Sequence, residues 1–240
     1  MKLRLMICAA AASTALFATE DANSATYAVM NVTNAYTDTI VAVPWVGLDG
    51  TAITISNLVN TTTLSTGDKL YMYDNGTWYE YTKSAAGIWT GAETITPTGS
   101  HTAESQVVQR GTGLVLQRKV SGAGGTVLLA GRVDSGTITT TIATGKTLFA
   151  NPTATAVDIN TSGKFADATD GDTISIPLNN GGSDVYTYDG TKSEWGKNTL
   201  VEKTINGRKR KQNEWSKCGS IPAGTGAWYE TTGSGYTVTW

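Results

Sequence analysis

Residues 67–81, GDKLYMYDNGTWYEY, decide how this chain folds. Leu70 and Met72 alternate with Tyr71 and Tyr73, and beyond Asp74-Asn75-Gly76 the pattern resumes in Trp78, Tyr79 and Tyr81. Alternation sends successive side chains to opposite faces of an extended strand, and Asn-Gly tolerates the positive φ of a type I′ turn. The stretch therefore predicts a β-hairpin. Residues 171–195, GDTISIPLNNGGSDVYTYDGTKSEW, repeat the opening Gly-Asp and the alternation around a longer loop.

Working outward, other landmarks recur in the same order. Thr39–Pro44 (TIVAVP) matches Thr147–Pro152 (TLFANP), and Ala52–Ile55 (AITI) matches Ala156–Ile159 (AVDI). Gly111-Thr112-Gly113 matches Gly224-Thr225-Gly226, and Gly125–Leu129 matches the C-terminal Gly235–Trp240. The spacings of 104 to 113 residues are too long for a solenoid repeat and suit a duplicated domain. Short apolar runs punctuated by Gly and Pro, with no helical periodicity, predict an all-β chain of two tandem duplicated β-sandwich or barrel-like units.

The boundaries follow. Residues 1–25 read as a signal peptide: Lys2 and Arg4, the apolar run Leu5–Ala18, then small residues at Ala22, Ser24 and Ala25. The run falls short of the roughly 20 residues a membrane span needs. A lipoprotein signal at Cys8 fits poorly, since the positive segment before it is very short. Residues 26–36 form an N-terminal strand extension with Ala28, Met30 and Val32 on one face and no counterpart evident before the second unit. Residues 37–133 are the first unit, with Ala52–Val59 read as a strand and Val107–Val120 as a Gly-Thr-Gly turn running into one. Residues 134–146 are a linker or shared strand, and residues 147–240 the second unit.

The chain has 240 residues, a net charge of −2 and 16% charged residues, so nothing draws it to nucleic acid or to an anionic membrane. Without the leader one cysteine remains, Cys218, which rules out an intramolecular disulfide and reads as a buried thiol. The protein is expected to be secreted or on the cell surface.

The residues VAVPW (41–45), GDKLYMYDNGTW (67–78) and RGTGLVLQR (110–118) resemble repeats in uncharacterised exported all-β proteins of environmental bacteria, with the pattern VAVP…GDxLYxYD…GxGxWL. The resemblance covers both halves after about Ile40. It implies a surface-associated, non-enzymatic role and supplies no catalytic residues. The second half departs from the pattern at Ile176-Pro177 and in its longer hairpin.

The residue inventory argues the same way. His101 is the only histidine, in a polar loop with Glu104 nearby and no nucleophile elbow, so a catalytic triad has no base that is held in place. One histidine and one mature cysteine do not make a zinc site. Asp68, Asp74, Glu80, Asp172 and Asp189 could supply paired carboxylates for glycoside hydrolysis. Asp68 and Asp172, however, follow glycine at equivalent places, where Asp bonds nearby amides. Gly145-Lys146-Thr147 lacks the earlier glycine of a phosphate loop and precedes a strand. The cluster Arg208–Lys211 follows Asn206-Gly207 and reads as a charged hairpin tip, with an acidic partner as the alternative.

The expectation is thus a non-enzyme without cofactor or metal, an exported structural protein that self-assembles into a filament, sheath or surface layer. The N-terminal strand either closes an edge of its own molecule or is exchanged with a neighbour, the second route making Ala28, Met30, Val32, Tyr236, Val238 and Trp240 the assembly residues. Its partners are copies of itself, with no nucleic acid and no membrane span. The alternative is a carbohydrate-binding or adhesive module, in which a polysaccharide stacks on Trp78, Tyr79, Tyr81 and Trp89.

Overall fold

The computed structural model describes residues 5–10, 13–18, 27–34, 38–43, 46, 51–58, 65–74, 77–86, 88–94, 102–103, 105–117, 119, 125–132, 136–178, 182–206 and 208–240. The Asn75-Gly76 turn, Pro44, His101 and Glu104 lie outside them. The strands of the first half are β1 (Leu5–Ala10), β2 (Ser13–Ala18), β3 (Tyr27–Asn34), β4 (Asp38–Ala42), β5 (Lys69–Asp74), β6 (Thr77–Lys83), β7 (Trp89–Thr94), β8 (Gly113–Gln117) and β9 (Gly125–Arg132). Those of the second are β10 (Thr139–Ile142), β11 (Gly145–Ala150), β12 (Val157–Asp158), β13 (Thr173–Pro177), β14 (Ser183–Asp189), β15 (Glu194–Ile205), β16 (Arg208–Lys217), β17 (Ser220–Ile221), β18 (Gly226–Thr231) and β19 (Tyr236–Thr239).

The protein is all-β, and its sheets are antiparallel. One five-stranded sheet runs β4-β8-β5-β6-β7, and one six-stranded sheet runs β11-β18-β13-β14-β15-β16. Smaller sheets are β1-β2-β3-β9, β10-β19 and β12-β17. None closes on itself, so the barrel-like alternative is corrected to open sheets packed on cores.

The alternation in GDKLYMYD places Leu70 and Met72 inside while Lys69, Tyr71 and Tyr73 stay half-buried on the other face. Tyr81, Trp89, Leu114 and Leu116 join Leu70 and Met72 in the first core, closed by Ile53, Ile55 and Leu58. The second core gathers Phe149, Phe165, Ile174, Trp195 and Tyr229 around Ile142, Ile221 and Val238. Phe165 stacks on Tyr229 with ring centroids 6.4 Å apart. Each such side chain contributes about 1.5–3 kcal/mol by leaving water.

The two Gly-Asp turns have the same wiring. Gly67 and Gly171 sit at φ +89° and +88°, where a side chain would be strained. The Gly67 amide donates to the Lys83 carbonyl and the Lys83 amide to Asp68; Gly171 and Asp172 make the same exchange with Tyr188. The carboxylate of Asp68 accepts the amides of Ser65 and Lys119, both at 2.8 Å. That of Asp172 accepts the amides of Thr169 at 2.9 Å and Thr232 at 3.0 Å.

The expected strand Ala52–Val59 is not found over its described residues 52–58: Thr54 makes a single bridge to Val107 and Ile55–Asn57 turn into a 3-10 helix. Asn57 Oδ1 accepts the Thr54 amide at 2.7 Å, a local bond that replaces a ladder bond. Val107–Val120 turns at Gly111, at φ +83°, and runs into strand β8, as the Gly-Thr-Gly reading expects. The linker contains β10, which pairs with β19 from Thr139↔Thr239 to Ile142↔Tyr236 and buries Ile142 in the second core. The N-terminal extension is β3, which pairs with β9 over eight residues, so β10 stands ahead of β11 as β3 stands ahead of β4. On its other side β3 pairs with β2, which also pairs with β1.

Candidate functional site

The halves meet through the outer faces of their large sheets, and the contact is reciprocal. The Ala42 amide donates to the Gly224 carbonyl at 2.9 Å, and the Ala150 amide donates to the Gly111 carbonyl at 3.0 Å. Val41 bridges Thr225, and Phe149 bridges Thr112. Close approach requires glycine at two positions. A Cβ on Gly226 would lie 2.3 Å from the Phe149 carbonyl oxygen and 2.6 Å from Ile40, and one on Gly113 would lie 2.8 Å from Leu148.

Aromatic rings extend this seam. Trp78 stands opposite Tyr73 in the β5–β6 ladder, and Trp228 of β18 packs against both. The Trp228 centroid lies 5.4 Å from Tyr73 and 5.5 Å from Trp78, with Tyr71 6.2 Å from Trp78 on the far side. Such tilted and edge-on contacts add about 0.5–1.5 kcal/mol per pair beyond burial. Beside them a cleft of about 820 Å³ opens between the halves, lined by Tyr73, Asp74, Gln109, Arg110, Lys146 and a run of threonines. Thr139 and Thr141 face outward from β10 because Thr140 and Ile142 turn inward. The Thr140 hydroxyl accepts from Trp240 Nε1 at 2.8 Å.

The stacking set Trp78, Tyr79, Tyr81 and Trp89 is not brought together. Tyr81 is 0% and Trp89 1% exposed, so neither offers a ring face, and that expectation is corrected. Tyr79 is half-buried against the first core, and Trp78 lies on the opposite face in the seam. Tyr73 and Trp228 were missed. The hairpin alternation places Tyr73 beside Trp78, but nothing in sequence brings Trp228 to them across 150 residues.

Of the assembly residues, Ala28, Met30 and Val32 lie in β3, between β2 and β9. Tyr236 and Val238 lie in β19, and Trp240 follows it. Val238 is buried, Tyr236 packs on Tyr229, and Trp240 stacks on Phe149 with centroids 6.2 Å apart. The C-terminal side chains therefore serve their own core and are not free to receive a neighbour.

The candidate carboxylates Asp172, Asp189 and Glu80 have partners within the fold, and Asp74 is exposed at the end of β5. Asp172 is fully buried and accepts the hydroxyls of Tyr229 at 2.7 Å and Thr231 at 2.9 Å besides its two amides. Burial opposes its charge, but these four donors outweigh burial and hold its carboxyl below the usual range. Asp189 accepts from Lys192 and Thr191 at a turn, Lys192 foremost, which brings it down to about 2. Glu80 pairs with Lys69. Gly145-Lys146-Thr147 opens strand β11, with none of the helix N-terminus a phosphate loop requires. Arg208–Lys211 begin β16, where Lys209 pairs with Glu202 at 2.7 Å. Burial pushes the Cys218 thiol up to about 12. Among the described residues no three His, Cys, Asp or Glu side chains are placed to hold a metal, and no helix is long and apolar enough to cross a membrane.

Compared with family models, with curated proteins and with solved structures, the chain matches none.

Proposed function

We propose that this is an exported structural protein that loses residues 1–25 and assembles with copies of itself at the cell surface by strand addition. The same reading takes the chain as two copies of one unit, supported by the matched Gly-Asp turns, the shared order of the first five strands in each large sheet, and the reciprocal seam. It assigns the protein no catalytic role.

The observation that carries the reading is the edge of β3. Its neighbour β2 lies wholly inside the proposed leader, so processing leaves an eight-residue strand with one ladder side open. Unpaired backbone groups along such an edge favour a partner strand. The sequence of β3, YAVMNVTN, carries no charge to discourage one. The outermost strand of the six-stranded sheet differs: five of the ten residues of β16 are Lys or Arg, a common guard against edge-to-edge pairing. A strand from a second copy would take the place of β2, with backbone hydrogen bonds supplying affinity.

The test compares residues 26–240 with residues 1–240 by sedimentation and negative-stain microscopy. The trimmed chain is expected to assemble and the full chain to stay monomeric. In the trimmed chain the pair Val29→Lys and Asn31→Lys, on one face of β3, is expected to keep a folded monomer apart. A trimmed chain that remains monomeric at every concentration removes the edge from the mechanism. The intact mass of the exported protein tests the leader separately, and retention of Met1–Ala18 would remove that premise.

A further inference from the structure

We infer that the β15–β16 ribbon is a docking arm for an acidic polysaccharide, whose carboxylates meet the face of its tip that carries Arg208 and Arg210. Only the choice of polymer rests on the export reading, since an exported arm meets glycans. β14 pairs with β15 only from Asp189↔Glu194 to Thr187↔Gly196, whereas β15 and β16 stay in register from Gly196↔Lys217 to Ile205↔Arg208. Residues 197–205 thus have ladder partners on β16 alone, and the rise of an extended chain gives that ribbon a length of about 30 Å. Across it, residues 208–213 are all exposed. A two-stranded ribbon by itself is marginal in water. Guarding an edge explains lysines on β16, but not a ribbon that outruns its own sheet. A partner for the ribbon explains both.

The two faces of the tip differ. Residues directly opposite in an antiparallel ladder share a face, and Arg210 stands opposite Lys203. Arg208, two residues from Arg210, lies on that face as well. Like charges set opposite each other destabilise a ladder, so an anion on this face relieves a repulsion already present. Lys203 is paired with Glu214, but among the described residues neither arginine has an acidic partner. On the other face Lys209 pairs with Glu202, which stands opposite Lys211, so charge there is partly answered within the ribbon. The excess is a property of the arm's own sequence: residues 202–211 carry five Lys or Arg and one Glu. A guanidinium fork matches a planar carboxylate with two parallel hydrogen bonds. Gln212, exposed and next along the arginine face, offers an amide to sugar hydroxyls. No aromatic residue lies between Trp195 and Trp215, so the arm lacks the stacking rings of single-strand nucleic-acid binding. Asn206-Gly207, which join the strands, bring no apolar side chain to a bilayer.

The experiment measures binding of the folded chain to polygalacturonate by calorimetry, with a DNA duplex and phosphatidylglycerol vesicles compared at equal concentration of anionic groups. Polygalacturonate is expected to bind most tightly, and more weakly in high salt, which screens exposed charges. Arg208→Gln with Arg210→Gln is expected to weaken it about tenfold or more, and Lys209→Gln with Lys211→Gln by no more than about threefold. These side chains are exposed and outside both cores, and melting curves check that each variant folds. No binding of polygalacturonate at millimolar uronate, or binding unchanged in the arginine variant, would overturn the arm as its site. Equal losses in the two variants would reduce the site to net charge and overturn the arginine face. Tighter binding of the duplex or the vesicles would overturn the polysaccharide assignment. The intact mass of the exported protein reads export separately, so failure of that reading and failure of the arm are told apart.

Discussion

Asp172 is a buried carboxylate that ties Thr169, Tyr229, Thr231 and Thr232 together in the second half. Its pKa lies below the unfolded value of about 3.9. A depressed carboxylate stabilises the fold at pH above the unfolded pKa, and this stabilisation is lost as pH falls through the folded value. Asp172→Asn removes the charge that four donors address. It should cost about 2–4 kcal/mol at pH 7, read from urea midpoints. The difference from the parent should shrink once pH drops below about 4; an equally large difference at pH 2.5 would show that shape, not charge, makes Asp172 matter. Cys218 behaves oppositely. A thiol pushed up to about 12 is protonated at neutral pH and shielded as well, so a thiol reagent should find none in the folded mature chain. In denaturant it should find one, and two if Cys8 is retained.

At the scale of elements, the seam strands and the β15–β16 ribbon respond to change in opposite ways. In β18, Gly226→Ala drives a methyl into the Phe149 carbonyl, and backbone cannot move aside as a side-chain tip can. It should destabilise by about 1–3 kcal/mol, measured by thermal melting. The ribbon beyond Gly196 and Lys217 runs out of the core, with Leu200 59% exposed and Lys203–Glu214 and Lys209–Glu202 pairs along it. Exposed pairs of this kind contribute little. Replacing residues 202–211 by Asn-Gly joins Val201 to its register partner Gln212. It should shift stability by no more than about 0.5 kcal/mol, and a large loss would reveal that the ribbon folds back on the sheet.

For the whole molecule, the reciprocal hydrogen bonds and the Tyr73–Trp78–Trp228 cluster tie the two cores together. Calorimetry should therefore give one transition whose calorimetric and van't Hoff enthalpies agree; two resolved transitions would show a loose seam. The sequence by itself determined most of the strands and which side chains share a face, because period-2 alternation fixes that grouping once a strand forms. Leu70 and Met72 lie inside as that pattern requires. It also marked Gly67, Gly111, Gly171 and Gly224, whose positive φ needs a residue without Cβ. Tertiary structure decided what each face meets. Tyr81 and Trp89 looked like a platform and are buried, since alternation does not say which face is the core's. The pairing of β3 with β9 and of β10 with β19, and the contact of Trp228 with Tyr73, join segments far apart in sequence. Their pairing is set by the burial of both cores together, which no local pattern records.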